Sequence, residues 1–185
     1  MDATGNFIPR SISGALTEAL GDTPVVCLLG PRQSGKTTLV RSLAPCRTYV
    51  SLDDKSYLDT AALDPSGFVD SLPQIVTLDE VQHAPELLPA IKRSVDHDRR
   101  PGRFLLTGSA NLLLLPQASE SLAGRMEVVR LQPFTESEKE QTPGMFLRDL
   151  LAGKLKPEIV GERGRRDPGV AARLMAGGYP EPLTR

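Results

Sequence analysis

Val25-Val26-Cys27-Leu28-Leu29-Gly30-Pro31-Arg32-Gln33-Ser34-Gly35-Lys36-Thr37 is the stretch on which the fold turns. Its first five residues form a short continuous apolar run, the mark of a strand buried on both faces. The next eight fit the pattern G-x-x-x-x-G-K-[ST]. Glycines in such a loop let the backbone wrap closely around a phosphate, with its N–H groups turned inward as an anion nest. A helix opens near Lys36, with Leu39, Val40 and Leu43 on one side, and Pro45 stops it. The positive N-terminal end of that helix adds to the nest. At average glycine usage the eight-residue pattern arises by chance in roughly one chain in a hundred of this length. Its place between a buried strand and an amphipathic helix is the context that confirms it. Gly30, Pro31, Arg32, Gln33, Ser34, Gly35, Lys36, Thr37 and Thr38 are the candidate nucleotide contacts. Lys36 is expected to reach the β- and γ-phosphates and Thr37 to ligate magnesium. Arg32 and Gln33 are expected to face solvent.

Reading outward, the chain alternates strand and helix signals. Ile12, Leu16, Ala19 and Leu20 have helical spacing, with Ser11 or Ser13 as a cap. Thr48 to Leu52 reads as a second strand and Gln74 to Leu78 as a third. Residues 55–72 read as one or two short helices broken at Asp64-Pro65. Pro85 to Asp98 reads as a helix striped by Leu87, Leu88, Ile91 and Val95, with Pro89 tolerable only in the first turn. Arg103 to Thr107 is a fourth strand, a helix is expected within 110–122, and Met126 to Leu131 is a fifth strand. This alternation predicts an α/β fold with a parallel sheet covered on both faces. After Pro133 the pattern changes to helix and loop. The division expected is a core over residues 1–133 and a partial helical lid or linker over 134–185. No internal repeat at solenoid periods is present.

Magnesium requires a carboxylate near the loop threonine, and hydrolysis requires a group that orients water. Asp79 ends the third strand 43 residues after Lys36, where a parallel sheet can deliver it beside the loop. It is assigned to magnesium, through a water. Glu80 follows and is the candidate general base. A strand that merely ends in surface acids is the competing reading, and the phosphate loop weighs against it. Thr77 interrupts the apolar run of this strand. The fourth strand ends at Thr107-Gly108-Ser109, on the side of a parallel sheet that faces its ligand crevice. A hydroxyl of Thr107 or Ser109 there can contact the γ-phosphate or the attacking water, although these residue types also suit an ordinary turn. Arg125 is either a solvated loop arginine or a contact to a phosphate of its own or a neighbouring subunit's nucleotide. No Asn/Thr-Lys-x-Asp tetrapeptide, the guanine-reading signature, occurs, so ATP is favoured over GTP.

Composition narrows the class without naming it. The 185 residues are 39% hydrophobic and 24% charged, with net charge −1, as in an ordinary globular protein without a global field for nucleic acid or membranes. Residues 151–185 carry seven Lys/Arg against four acids, a modest basic tail that reads as solvated surface or as a nucleic-acid contact. Cys27 lies in the apolar run as a small core residue, and two cysteines with little His suggest neither a disulfide framework nor a zinc site. With no signal-peptide pattern and no membrane-length apolar run, a cytoplasmic location is expected.

The chain resembles the predicted AAA+ superfamily ATPases of bacteria and archaea, related to origin-recognition-like and STAND-type ATPases. The matching stretches are Phe7-Ile8-Pro9-Arg10, GPRQSGKTT at 30–38, Ser51-Leu52-Asp53-Asp54, LDEVQ at 78–82, FLLTGSA at 104–110, SLAGR at 121–125, 131–134 and GGYPE at 177–181. The resemblance implies a P-loop NTPase core of the ASCE type, a three-layer sandwich whose five-stranded parallel sheet has the order 5-1-4-3-2. It implies that Glu80 is catalytic, that the end of the fourth strand senses the γ-phosphate, and that the segment carrying Arg10 packs near the adenine. It places Arg125 where many relatives carry an arginine finger. Members of the family usually continue past the GGYPE-like segment, often into a nuclease-like domain, so the expectation is a shortened chain with an incomplete lid and no clear second sensor arginine. Three functions follow as alternatives. The first is an ATPase that turns hydrolysis, with magnesium, into a conformational change, acting on a protein partner or as a homo-oligomer. The second is a nucleotide switch with negligible turnover. The third is a small-molecule kinase, against which the adjacent acids and the lack of an Arg-rich lid count.

Overall fold

The computed structural model describes residues 7–43, 47–109, 122–154 and 169–180. These residues group into two compact units, one drawn from Ser11–Gln132 and the other from Met1–Arg10 with Pro133–Arg185.

In the larger unit, helix α1 (Ser13–Asp22) leads into strand β1 (Val25–Leu29), whose five residues are all buried. Then follow α2 (Lys36–Ser42), β2 (Thr48–Ser51), α3 (Lys55–Leu63), α4 (Pro65–Ser71) and β3 (Val76–Asp79). A 3-10 turn (Val81–His83), α5 (Leu87–His97), β4 (Phe104–Gly108) and β5 (Met126–Arg130) complete it. Every strand pair is parallel and the order is β2-β3-β4-β1-β5, the order 5-1-4-3-2 that the resemblance implies. The helix expected within 110–122 lies almost wholly outside the described residues.

The layers follow from the strand period of two, which sends successive side chains to opposite faces. Val25, Cys27 and Leu29 of β1 join Phe104 and Leu106 of β4 in one cluster, with Leu87, Leu88, Ile91 and Val95 of α5. Val26 and Leu28 join Leu105 in a second cluster, with Leu16 and Ala19 of α1 and Leu39 and Val40 of α2. Each face of the sheet therefore has its own core and its own helices, which is why the central strand lacks a polar side. The Asp64-Pro65 break separates α3 from α4 as the sequence predicts, and Asp64 caps α4 by accepting the Gly67 N–H. Pro89 is the third residue of α5, within the first turn where a missing N–H costs no intrahelical bond. The helix starts at Leu87 rather than Pro85, because Pro85 and Glu86 form a turn before it. Neither Ser11 nor Ser13 caps α1; Ile12 occupies that position without a side-chain bond.

Two buried details depart from a simple apolar core. Thr77 is buried in β3 and accepts a hydrogen bond from Arg47 Nε at 3.2 Å. The same guanidinium donates to the carbonyls of Val76 at 2.7 Å and Gly102 at 2.6 Å, so the polar interruption of the strand is satisfied. Cys27 is fully buried, and burial pushes its thiol up to about 12. It is a neutral core atom group, as the apolar run implies.

In the smaller unit Thr135 caps α6 (Glu136–Lys139) through a reciprocal box with Glu138. Arg10 stacks over the Phe134 ring at 4.3 Å, and its Nε lies 3.4 Å from Glu138 Oε1. Helices α7 (Phe146–Leu151) and α8 (Val170–Ala176) have no buried residues.

Candidate nucleotide-binding site

The site gathers at the C-terminal ends of β1, β3 and β4. Leu29 ends β1, and Gly30 turns the chain out of the sheet. A β-carbon at Gly30 would stand 2.4 Å from the Leu131 carbonyl oxygen, a separation no side chain tolerates, so only glycine permits this close passage. The Gly30 N–H also donates to the Gly108 carbonyl at 3.3 Å, tying the loop to the end of β4. Two residues of the loop take left-handed backbone, Gln33 at φ 63° and Gly35 at φ 92°. Such reversals aim consecutive N–H groups to one side, the geometry of an anion nest. Arg32, Gln33 and Thr38 are exposed, Ser34 is buried, and Pro31 and Gly35 are half-buried.

Lys36 is only 5% exposed. Its Nζ donates to the carbonyls of Gly30 and Pro31, each at 3.1 Å. The ammonium is thus folded inside the loop. Burying a charge without such partners would cost several kcal/mol.

Beside it, Asp79 closes β3 at 2% exposure. One of its carboxylate oxygens, Oδ2, accepts the Thr37 hydroxyl at 2.9 Å and also a hydrogen bond from the Tyr49 hydroxyl. The other, Oδ1, accepts the hydroxyl of Thr107. Three hydroxyls from α2, β2 and β4 therefore converge on one buried carboxylate, which offsets its loss of water. Burial, and then the hydrogen bond and charge of Asp79, raise the Tyr49 phenol above its ordinary value, so it stays a donor at neutral pH.

Glu80 follows in the left-handed region, at φ 59° and ψ 45°. A non-glycine residue there carries roughly 1–2 kcal/mol of strain. Its backbone N–H is held by the Thr107 oxygen at 3.0 Å, and its carbonyl accepts the His83 N–H at 3.0 Å. Its carboxylate accepts from the Gln82 amide, and the Gln82 oxygen accepts the Ser109 N–H at 3.3 Å.

The structure therefore brings Lys36, Thr37, Asp79, Glu80 and Thr107 together. It does not bring Arg125 to them. Arg125 precedes β5, and its carbonyl accepts the Val25 N–H at the opposite end of β1, about 16 Å from the loop at roughly 3.3 Å per strand residue. Its guanidinium is bound by Asp96 of α5, Nε–Oδ1 2.5 Å and Nη2–Oδ2 3.1 Å. Within its own chain Arg125 thus braces α5 against the start of β5. Arg10 belongs to the smaller unit, with Glu138 and Phe134 as described. Sequence reasoning missed Tyr49 and Gln82. Gln82 lay inside the LDEVQ stretch without a role. For Tyr49 the only signal was a hydroxyl two residues before the end of the strand that neighbours Asp79.

The donor set suits a nucleotide with a hard divalent cation. Among the described residues no three His, Cys, Asp or Glu side chains group to hold a metal by themselves. A cation at Thr37 and Asp79 must share its shell with phosphate oxygens and water, which is the habit of magnesium. The loop supplies N–H groups and a lysine for the phosphates.

A family model described as an AAA domain matches residues 22–139. The chain belongs to that AAA domain family. The AAA domain membership makes a nucleotide-binding, ATPase-like function the working class for the site. Two curated relatives, the uncharacterized proteins Mb2031c of Mycobacterium bovis and Rv2008c of Mycobacterium tuberculosis, are each 42% identical over 127 residues. Those residues are 68% of this chain and 29% of either relative, so the chain spans less than a third of their length. A Walker-type ATPase of Pyrococcus abyssi is a structural neighbour with TM-score 0.49 and 19% identity, covering 82% of this chain and 60% of that one. Among the described residues, no helix of this AAA domain protein is long and apolar enough to cross a membrane.

Proposed function

We propose that the larger unit binds ATP with magnesium and hydrolyses it, the cycle driving a conformational change. One observation carries the reading: the Asp79 carboxylate is joined by the hydroxyls of Thr37 and Thr107, while Thr107 also holds the Glu80 N–H. Phosphate loop, cation carboxylate, candidate base and strand-end hydroxyl are thus one bonded cluster.

The residues divide the work. Backbone N–H groups of 30–37 and the Lys36 ammonium bind the phosphates. Thr37 and Asp79 hold the cation, and bound magnesium supplies positive charge against the phosphate oxygens. The Glu80 carboxylate takes the proton of the attacking water. Thr107 orients both acids, through the Asp79 side chain and the Glu80 backbone. The buried position of Lys36 and Asp79 strengthens each electrostatic contact relative to water.

Two variants test this. Lys36→Ala is expected to weaken ATP binding by about tenfold or more, equivalent to about 1.4 kcal/mol, measured by calorimetry against ATP, ADP and GTP. Glu80→Gln is expected to keep ATP binding and lose ADP formation. In a single-turnover assay, wild-type ADP formation no faster than the Lys36→Ala background would leave only a nucleotide switch. Unchanged turnover in Glu80→Gln would remove Glu80 from the chemistry.

A further inference from the structure

We propose that Gln82 is a positioning residue for Glu80, an amide bridge that holds the candidate base against the end of β4; the inference rests on the role proposed above for Glu80.

Gln82 lies in the 3-10 turn and is half-buried. Its Nε2 donates to Glu80 Oε2, and its Oε1 accepts the Ser109 N–H at 3.3 Å. The partners fix which way the amide points. An ionised carboxylate only accepts, and a backbone N–H only donates. Only a side chain with one donor and one acceptor at this length satisfies both. Glutamate would set two carboxylates against each other. Methionine has the length and neither bond.

The contact depends on local backbone that the sequence does not advertise. In an α-helix, side chains two residues apart do not face each other. Here Glu80 is left-handed and residues 81–83 wind as a 3-10 turn, so the two side chains meet. The Glu80 residue is then anchored twice on β4 and its extension. Its backbone N–H is on the Thr107 hydroxyl, and its carboxylate reaches Ser109 through Gln82. The backbone anchor alone leaves the torsions of a long side chain free. The amide bridge removes that freedom at the reacting carboxylate, and displacements of about 1 Å at a reacting group cost about a hundredfold in rate.

The test compares Gln82→Met and Gln82→Glu with wild type and Glu80→Gln, measuring ATP affinity, steady-state kcat and KM, and single-turnover ADP formation. The expected result is a kcat lowered by about tenfold to a hundredfold in Gln82→Met, and lowered further in Gln82→Glu, with ATP affinity and KM unchanged. In a Glu80→Gln background, Gln82→Met is expected to add nothing to the loss, because its effect passes through Glu80. Unchanged kcat in both Gln82 variants, with turnover lost in Glu80→Gln, overturns the role of Gln82 and leaves that of Glu80 standing. Turnover retained in Glu80→Gln overturns the base and the bridge together. A loss that appears in KM or ATP affinity with kcat intact overturns positioning, as does a kcat loss of equal size in the Glu80→Gln background.

Discussion

Tyr49 carries the residue-scale argument. It sits on β2, pairs in register with Thr77, and reaches Asp79 with its hydroxyl. Arg41 stacks over its ring at 4.4 Å. Burial and the Asp79 carboxylate raise the phenol, while the Arg41 charge opposes them. A raised folded value means that the stabilisation from this group is complete below about pH 10 and is lost as pH rises through the raised value. Ultraviolet titration of the native protein is therefore expected to contain a late tyrosinate phase, above pH 10, that disappears in Tyr49→Phe. Absence of that late phase in the wild type would contradict the buried contact. The strained backbone at Glu80 belongs to the same scale. Its left-handed conformation persists because Thr107 and His83 hold both sides of the residue, and strain of this kind concentrates at functional sites.

At the scale of elements, the sheet delivers the chemistry and the opposite edge braces it. β1, β3 and β4 end together because all are parallel and in register: Leu29 lies beside Gly108, and Leu78 beside Leu106. At the other edge Arg125 grips Asp96 near the end of α5. The hydrogen bond from Arg125, with its charge, holds the Asp96 carboxyl below the ordinary carboxylate range. A depressed folded value means that this contribution is present above the ordinary value, near pH 4, and is lost as pH falls through the lowered one. Thermal midpoints of wild type and Asp96→Asn are accordingly expected to differ by a small, constant amount at neutral pH and to converge in acid. A difference that persists at the lowest pH would rule out the ion pair as its source.

At the scale of the molecule, nucleotide binding and global stability are linked. Cys27 is buried at the centre of the sheet with its thiol pushed up to about 12, so it reacts only when the larger unit opens. In a Cys46→Ser protein, a thiol reagent is expected to modify nothing on the native timescale and one thiol per chain in denaturant. ATP with magnesium at about a hundred times its dissociation constant stabilises the bound state by about 2.7 kcal/mol. Modification through global opening should slow by about a hundredfold in wild type and by about tenfold or less in Lys36→Ala, whose affinity is at least tenfold weaker. Equal protection in both proteins would separate Cys27 from the nucleotide site.

The residues themselves determined the fold class, the central strand, the phosphate loop and the acid pair. Those features are local: an unbroken apolar run means burial on both faces, and a glycine pattern between such a run and an amphipathic helix gives a tight loop of the kind that cradles phosphate. The strand order was legible only through the family resemblance and agrees with the sheet observed. Tertiary structure alone decided which hydroxyls meet Asp79, since Thr37, Tyr49 and Thr107 come from three separate elements. It alone turned Glu80 left-handed and so brought Gln82 onto it, a contact that no helical or strand spacing foretells. It also set Arg125 with Asp96 rather than beside the loop. A short polar side chain can serve a turn, a cap or a site equally well, and only the packing of distant strands selects among them.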